Sequence, residues 1–377
     1  MSTVAVAPDS FKGSASAAAI AGALADGWRS VRPGDRVVLA PMADGGEGTL
    51  DAFAVAVPGA VRHPVRVEGP DGRAVDASWL ELPDGAAVVE LAETSGIGLL
   101  DALAPFDAHT IGFGQAIAAA LDSGATRLLL AIGGSASTDG GAGALTALGA
   151  RLLDAAGRPV PPGNRGLAAI ARVDLSGLRA LPPGGAHILS DVTSPLLGQT
   201  GAAAVFGPQK GASASDVASL EEGLARFASA ATAAGSAVDS GAPGAGAAGG
   251  TGFGLLVWGA TLSAGSTAVG EAIGLPATIA TADAVVTGEG RYDSQSAAGK
   301  VPEYVAGLAV AADVPVYLAA GSIAAEPASF AASAEPATLA GGTAAAIADP
   351  LRWARAAGAA LATAHSAAHT HADAAPA

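Results

Sequence analysis

Five glycine-rich polar loops gather the residues able to do chemistry: DSFKGS, ADGGEG, GGSASTDGGAG, GPQKG and GEGRYDSQSAAGK. Glycine lets backbone approach a ligand closely, and each loop adds a carboxylate, a cation or both. The carboxylates are Asp9, Asp44, Glu47, Asp139, Glu289 and Asp293, joined by Asp191 in the segment SDVTSP. Phosphoryl transfer needs a carboxylate to receive the hydroxyl proton, carboxylates or waters to hold Mg²⁺, and donors to neutralise the transferring oxygens. This set supplies all three, although any single Asp beside Gly is equally ordinary turn chemistry.

Lysine usage sharpens the reading. The chain has 19 basic residues, yet its lysines are Lys12, Lys210 and Lys300 alone, each inside one of these loops. Where a solvated positive charge suffices the chain uses Arg, so these positions suggest sites that want a compact ammonium ion. Their placement predicts that the three converge on one anion-binding cleft, with an accident of composition as the alternative. GGSASTDGGAG follows the strand-like RLLLAI and opens a helix, so its N–H groups could hold phosphate. A tight strand–helix turn capped by Asp139 is the other reading of that loop.

The elements that carry these loops follow from apolar patterning. Residues 3 to 7 (TVAVA) read as a short buried strand, followed by DSFKGS and an Ala-rich helix ending near Trp28. RVVLA reads as a second strand running into PMADGGEG, so both loops follow strand C-termini, where open α/β sheets place their ligands. From Val61 to Ala92, three alternating runs separated by Pro70-Asp71-Gly72 and Pro83-Asp84-Gly85 predict an antiparallel meander. A helix over 107–122, the strand RLLLAIGG, a helix from Ala142, the strand HILSD and a helix over 214–233 come next. DAVVTGEG and VYLAAGS read as strands that return to the first domain.

The predicted fold is therefore α/β with two domains. A Rossmann-like or flavodoxin-like terminal domain is discontinuous, 1–60 plus 283–363, and an inserted α/β domain, 61–282, contains a mixed sheet. Residues 228–250 are Ala/Gly/Ser-rich and read as a flexible connection or a glycine loop. Residues 364–377 read as a disordered tail, in which His365, His369 and His371 carry metal binding as the alternative.

Composition excludes several classes. The net charge of -15 opposes nucleic acid and anionic membrane surfaces, which both demand a basic face. No apolar run reaches the roughly 20 residues a spanning helix needs, since residues such as Asp313 and Pro315 interrupt each candidate. The opening MSTVAVAPDSFKG does not read as a signal peptide. Without cysteine, disulfides and thiolate metal sites are impossible, which fits a reducing compartment. Hydrophobic residues make up 50% but aromatics only 4%, so the core must be built from Ala, Val, Leu and Ile. A Walker P-loop is missing, because Ser294 stands at its first glycine and Val301 at its hydroxyl position around Gly299-Lys300. Gly244, Gly246 and Gly249 spell GxGxxG, but after Pro243 rather than after a strand.

APDSFKGSASA, PMADGGEGT, IGGSASTDGGAGALTALGA, SDVTSPLLGQTGAAAVFGPQKGA, GAGAAGGTGFGL and VVTGEGRYDSQSAAGKVP resemble, in this order, the characteristic segments of the bacterial glycerate kinase family. The likeness runs from about Val4 to Pro302 and more weakly to about Thr363. It implies a cytoplasmic enzyme that transfers the ATP γ-phosphoryl group to glycerate with Mg²⁺, giving 2-phosphoglycerate or 3-phosphoglycerate. With it go roles for this chain's residues: Asp191 as general base or Mg²⁺ ligand, and Lys12 and Lys300, with Arg291, neutralising phosphate or substrate carboxylate. Gly133, Gly134 and Ser135 would cradle phosphates, while Asp44, Glu47, Glu289 and Asp293 orient cations or the metal. Asp9, Ser10, Asp139 and Lys210 complete the expected substrate- and phosphate-binding set.

Ala15 and Thr138 stand where family members often carry Leu and Asn, and Thr193-Ser194 replaces a commoner acidic/Asn pair beside Asp191. That change keeps another small hydroxy acid in play as acceptor. Two rivals of other classes are a catalytically silent metabolite-binding protein on the same scaffold and a dinucleotide-dependent oxidoreductase. Intact Asp191, Lys12 and Lys300 oppose the first. The second lacks a GxGxxG between strand and helix.

Overall fold

The computed structural model describes residues 1–293 and 300–372, with side chains as far as Ala368. Residues 294–299 of the last glycine loop, the side chains of His369 and His371, and residues 373–377 lie outside the described residues. The strands are β1 Thr3–Pro8, β2 Arg36–Leu39, β3 Val61–Glu68, β4 Ala74–Glu81, β5 Ala86–Glu90, β6 Arg127–Ala131, β7 Arg151–Leu153, β8 Arg172–Asp174, β9 Ala186–Leu189, β10 Thr261–Ser263, β11 Ala284–Tyr292, β12 Val316–Ile323 and β13 Ala332–Ala334. They fall into two compact units.

Unit 1 comprises Met1–Asp44, Asp51–Pro58 and Ser266–Ala377. Its five strands are all parallel in the order β13-β12-β11-β1-β2. Counted in chain order within the unit, that is 2-1-3-4-5 read from the β2 edge, the flavodoxin-like arrangement the sequence predicts. Val4 and Val6 of β1 and Ala284 and Val286 of β11 are buried because the helices Ala17–Val31 and Pro350–Ala372 cover that face of the sheet. Order reverses between β1 and β11, and open parallel sheets of this kind bind ligands at such a crossing.

Small residues supply the core where aromatics are scarce. Helix Ala17–Val31 is capped by Ser16, whose side chain accepts from the Ala19 N–H at 3.3 Å. It packs on helix Pro350–Ala372 so closely that a Cβ on Gly27 would fall 2.0 Å from the Arg355 carbonyl oxygen, and one on Gly358 2.2 Å from that of Leu24. Of the tail read as disordered, 364–377, residues 373–377 lie outside the described residues, and those as far as Ala372 belong to this helix. Ala354, Ala357, Leu361 and Ala362 form its buried face, and His365 lies buried between Trp28 and Tyr317, its Nδ1 2.9 Å from the Tyr317 hydroxyl.

Unit 2 comprises Gly45–Leu50 and Gly59–Gly265. Its main sheet runs β10-β9-β6-β5-β4-β3, antiparallel from β3 to β5 and parallel from β5 to β10, which is the mixed sheet expected. Both predicted hairpin corners close: Gly69 N–H meets the Arg73 carbonyl at 2.7 Å, and Leu82 N–H the Ala86 carbonyl at 2.8 Å. The helix expected over 107–122 begins at Ile111. The strand read as HILSD ends at Leu189, two residues before Asp191. Of residues 228–250, read as a flexible connection or a glycine loop, 228–233 belong to helix Ala214–Ala233 and 244–250 form a packed glycine turn with Gly249 and Gly250 buried.

The units divide the chain differently from the boundaries read off the sequence. Leu275–Ala280, placed by pattern within 61–282, lies in unit 1, where buried Leu275 and Ile279 bring it against helix Val301–Ala311. Gly45–Leu50 lies in unit 2, because buried Glu90 at the end of β5 accepts from the N–H groups of Gly48 and Leu50, both at 2.9 Å.

Candidate active site

At the C-terminal ends of β1 and β11, unit 1 holds a cavity of about 340 Å³ lined by Asp9, Ser10, Lys12, Glu289, Arg291, Asp293 and Lys300, among others. The strand register explains the meeting. Pro8 pairs with Gly288, and Asp9 N–H donates to the Gly288 carbonyl at 2.7 Å, so Asp9 and Glu289 emerge side by side. Lys12 Nζ lies 2.6 Å from Asp44 Oδ2, with two-thirds (66%) of its side chain accessible. Arg291 pairs with Asp293 at 3.4 Å. Lys300 is the residue before helix Val301–Ala311, whose first turn carries Pro302 and Glu303.

The carboxylates compete for this positive charge. Burial, then the Asp44 charge, pushes Asp9 up to about 7, against the opposing pull of Lys12 and of the Ser10 N–H. Lost hydration works against the Lys12 ammonium, but Asp44, Asp9 and Glu289 outweigh it and hold the group above the ordinary lysine range. Between pH 4 and 7 folded Asp9 keeps a proton that the unfolded chain has released, so this group makes stability fall as pH rises through that window. Asp9→Asn should accordingly raise the melting temperature at pH 8 by at least about 3 °C, with the gap closing toward pH 4. Calorimetry at the two pH values checks this, and equal melting temperatures at pH 8 would refute it.

In unit 2 the neighbouring parallel strands β6 and β9 lead, at their C-terminal ends, into Gly133–Ser135 and Ser190–Asp191. Asp191 is exposed, and its Oδ1 accepts from the Gly265 N–H at 2.8 Å. Gly133 packs so tightly that an added Cβ would fall 2.5 Å from Gly46 Cα, and its N–H is engaged by the Gly45 carbonyl at 2.9 Å. Ala136 N–H donates to the Ser95 carbonyl at 3.1 Å and Ser137 N–H to Ser135 Oγ at 3.2 Å. Of the three residues expected to cradle phosphate, Gly133 thus has its N–H already engaged by backbone. Glu47 is exposed in the Gly45–Leu50 segment of this unit.

Asp139 and Lys210 are sealed inside unit 2. The Asp139 carboxylate is fully buried and accepts from the N–H groups of Thr110, Gly141 and Gly143 and from the hydroxyls of Thr110 and Ser137, at 2.9 to 3.1 Å. It closes the turn into helix Ala142–Ala147, the alternative weighed for this loop. Lys210 is 2% exposed and its ammonium donates to the Ser137 carbonyl. Burial pushes it down to about 7, with Asp139 acting the other way. Of the three lysines, Lys12 and Lys300 line the unit 1 cavity and Lys210 does not.

The model of the Glycerate kinase family matches residues 4–367. The chain belongs to the glycerate kinase family. It is 45% identical over 316 residues to the glycerate kinase of Bacillus subtilis (strain 168), covering 82% of each chain. To the glycerate 2-kinase of Escherichia coli (strain K12) it is 43% identical over 311 residues, covering 81% of each. The crystal structure of a Salmonella typhimurium LT2 protein assigned as glycerate kinase 2 superimposes with a TM-score of 0.85 at 38% identity, over 98% of this chain and 99% of that one.

In this glycerate kinase family member, the reading of motifs missed Glu90. Its signal was a lone Glu ending an apolar strand, AAVVE, which marks a buried carboxylate that must have donors. Among the described residues no helix is long and apolar enough to cross a membrane. Nor do the described residues form a group of three or more His, Cys, Asp or Glu placed to hold a metal ion.

Proposed function

We propose that the chain transfers the γ-phosphoryl group of ATP to the hydroxyl of glycerate, giving a phosphoglycerate and ADP. The single observation that carries this reading is the unit 1 cavity, where Lys12, Lys300 and Arg291 meet carboxylates at the reversal of a parallel sheet. ATP and glycerate are both anions, and a chain of net charge -15 must concentrate its few cations to receive them. The names of the relatives from B. subtilis and E. coli support the substrate.

Lys12, Lys300 and Arg291 neutralise phosphate or carboxylate oxygens, and Ser10 adds a polar group to the same cavity. Asp9, Asp44, Glu289 and Asp293 orient those cations. Gly134 and Ser135 present backbone N–H groups to phosphate, with Gly133 as the packed base of the loop, and Asp191 takes the hydroxyl proton or holds Mg²⁺. Mg²⁺ usually keeps waters and takes only one or two carboxylates besides substrate phosphates, so a single carboxylate such as Asp191 would be enough to hold it. When bound, the ion would neutralise charge on the phosphoryl oxygens. Most of the rate then comes from positioning and electrostatic stabilisation. A cytoplasmic setting suits ATP as donor and a chain without cysteine.

Incubation with ATP, Mg²⁺ and a panel of D-glycerate, L-glycerate and related hydroxy acids tests the reading. ADP release should depend on the acceptor, with kcat of about 1–100 s⁻¹ on the best one. Release no greater than background with every acceptor would overturn it.

A further inference from the structure

Lys210 has no route to a ligand at the surface of unit 2, yet it keeps an ionisable head where a hydrocarbon would be cheaper to bury. Its ammonium donates to the Ser137 carbonyl and lies against the backbone of Gly249. A Cβ at Gly249 would come within 2.7 Å of Nζ and 2.0 Å of the Ser137 carbonyl oxygen. Ala248, Gly249 and Gly250 run left-handed in succession, at φ 54, 68 and 85, which brings the Gly249 backbone against the ammonium. An alanine in that conformation is uncommon and persists only where its surroundings fix it. The Gly249 carbonyl in turn accepts from the Gly140 N–H at 3.1 Å.

Ser137 connects this buried charge to both ends of the glycine loop. Its N–H donates to Ser135 Oγ at 3.2 Å, and its hydroxyl to Asp139 Oδ1 at 3.1 Å. Asp139 then holds Gly141 and Gly143. We propose that Lys210 is a positioning residue: by holding the Ser137 carbonyl from below, it sets the Gly134–Ser135 backbone in the orientation that receives phosphate oxygens. The proposal rests on the kinase reading of that loop. It replaces direct anion contact by Lys210 with action through Ser137, since displacement of reacting groups by about 1 Å costs on the order of 100-fold in rate.

The test compares the whole chain with K210M, which removes the donor, and K210Q, which keeps a neutral N–H donor without the charge. Hydrogen exchange of peptides covering 133–143 is read beside kcat and KM for ATP. K210M should speed exchange in 133–143 by about tenfold, leave peptides of unit 1 unchanged, and lower kcat/KM by about 100-fold. K210Q should restore protection there and bring kcat/KM to within about tenfold of wild type. Folded K210M with unchanged exchange in 133–143 would overturn the proposal. If K210M does not fold, K210Q decides alone. Wild-type protection with activity near wild type supports positioning, whereas wild-type protection with about 100-fold lost activity shows direct contact with the ligand and overturns it. Should the wild type itself show no acceptor-dependent ADP release, the kinase reading fails while the exchange pattern still reports on the Lys210 clamp.

Discussion

Lys12→Met should lower kcat/KM for ATP and glycerate by about 100-fold to 1000-fold, roughly 3–4 kcal/mol of transition-state stabilisation. Methionine keeps most of the stem, so the change removes charge and donors more than volume. The ammonium is 2.6 Å from Asp44 and largely accessible from the cavity, so it can meet an incoming oxygen without rebuilding the core. Its loss also leaves Asp9, Asp44 and Glu289 with less positive charge beside them, which drives Asp9 further toward its protonated form. Exposed ion pairs contribute only about 0–1 kcal/mol to stability, so the melting temperature should hardly move. Lys12→Arg keeps the charge on a wider planar head and should still lose about tenfold. Steady-state kinetics on both variants checks the point, and normal turnover by Lys12→Met would remove this ammonium from the mechanism.

Asp191→Asn should reduce kcat by at least about 100-fold, roughly 2.7 kcal/mol, with the fold intact. Asparagine retains an oxygen that can accept from Gly265 N–H, so the local backbone contact survives while the base or metal ligand is lost. Because Asp191 is exposed just beyond the end of β9, no core packing depends on it. Circular dichroism and melting temperature should match wild type while turnover falls. A variant that turns over near-normally would exclude both roles proposed for this carboxylate.

The legible parts of the molecule were those governed by local pattern. TVAVA, DAVVTGEG and VYLAAGS read as strands because their apolar runs are short and bounded by turn residues, and all three sit in the parallel sheet of unit 1. Pro70-Asp71-Gly72 and Pro83-Asp84-Gly85 marked real corners because glycine at φ near 82 is what each requires. The meeting of Asp9 with Glu289 followed from parallel strands ending together, although 280 residues of chain separate them.

Burial, by contrast, is a property of packing. A lysine in a glycine loop reads the same whether its ammonium faces a ligand or a backbone carbonyl, so sequence does not separate Lys12 from Lys210, whereas the packing of the Lys210 ammonium against Ser137 and Gly249 does. Asp139 was ambiguous for the same reason, since Thr110, a principal donor to it, comes from 29 residues earlier in the chain. The final turns of helix Pro350–Ala372 are not legible in the sequence because HSAAHTHA has no bulky apolar residue. The helix forms by close approach of small residues, with His365 filling the space beside Trp28 and Tyr317.

The most direct test of the assignment is the identity of the phosphorylated product. Phosphorus NMR of a reaction with ATP, Mg²⁺ and glycerate should show ADP appearing together with one new phosphomonoester resonance, split by the protons of the carbon that bears the phosphate. A doublet would mark the 2-position and a triplet-like pattern the 3-position. ADP accompanied only by inorganic phosphate, or no loss of ATP at all, would contradict the account.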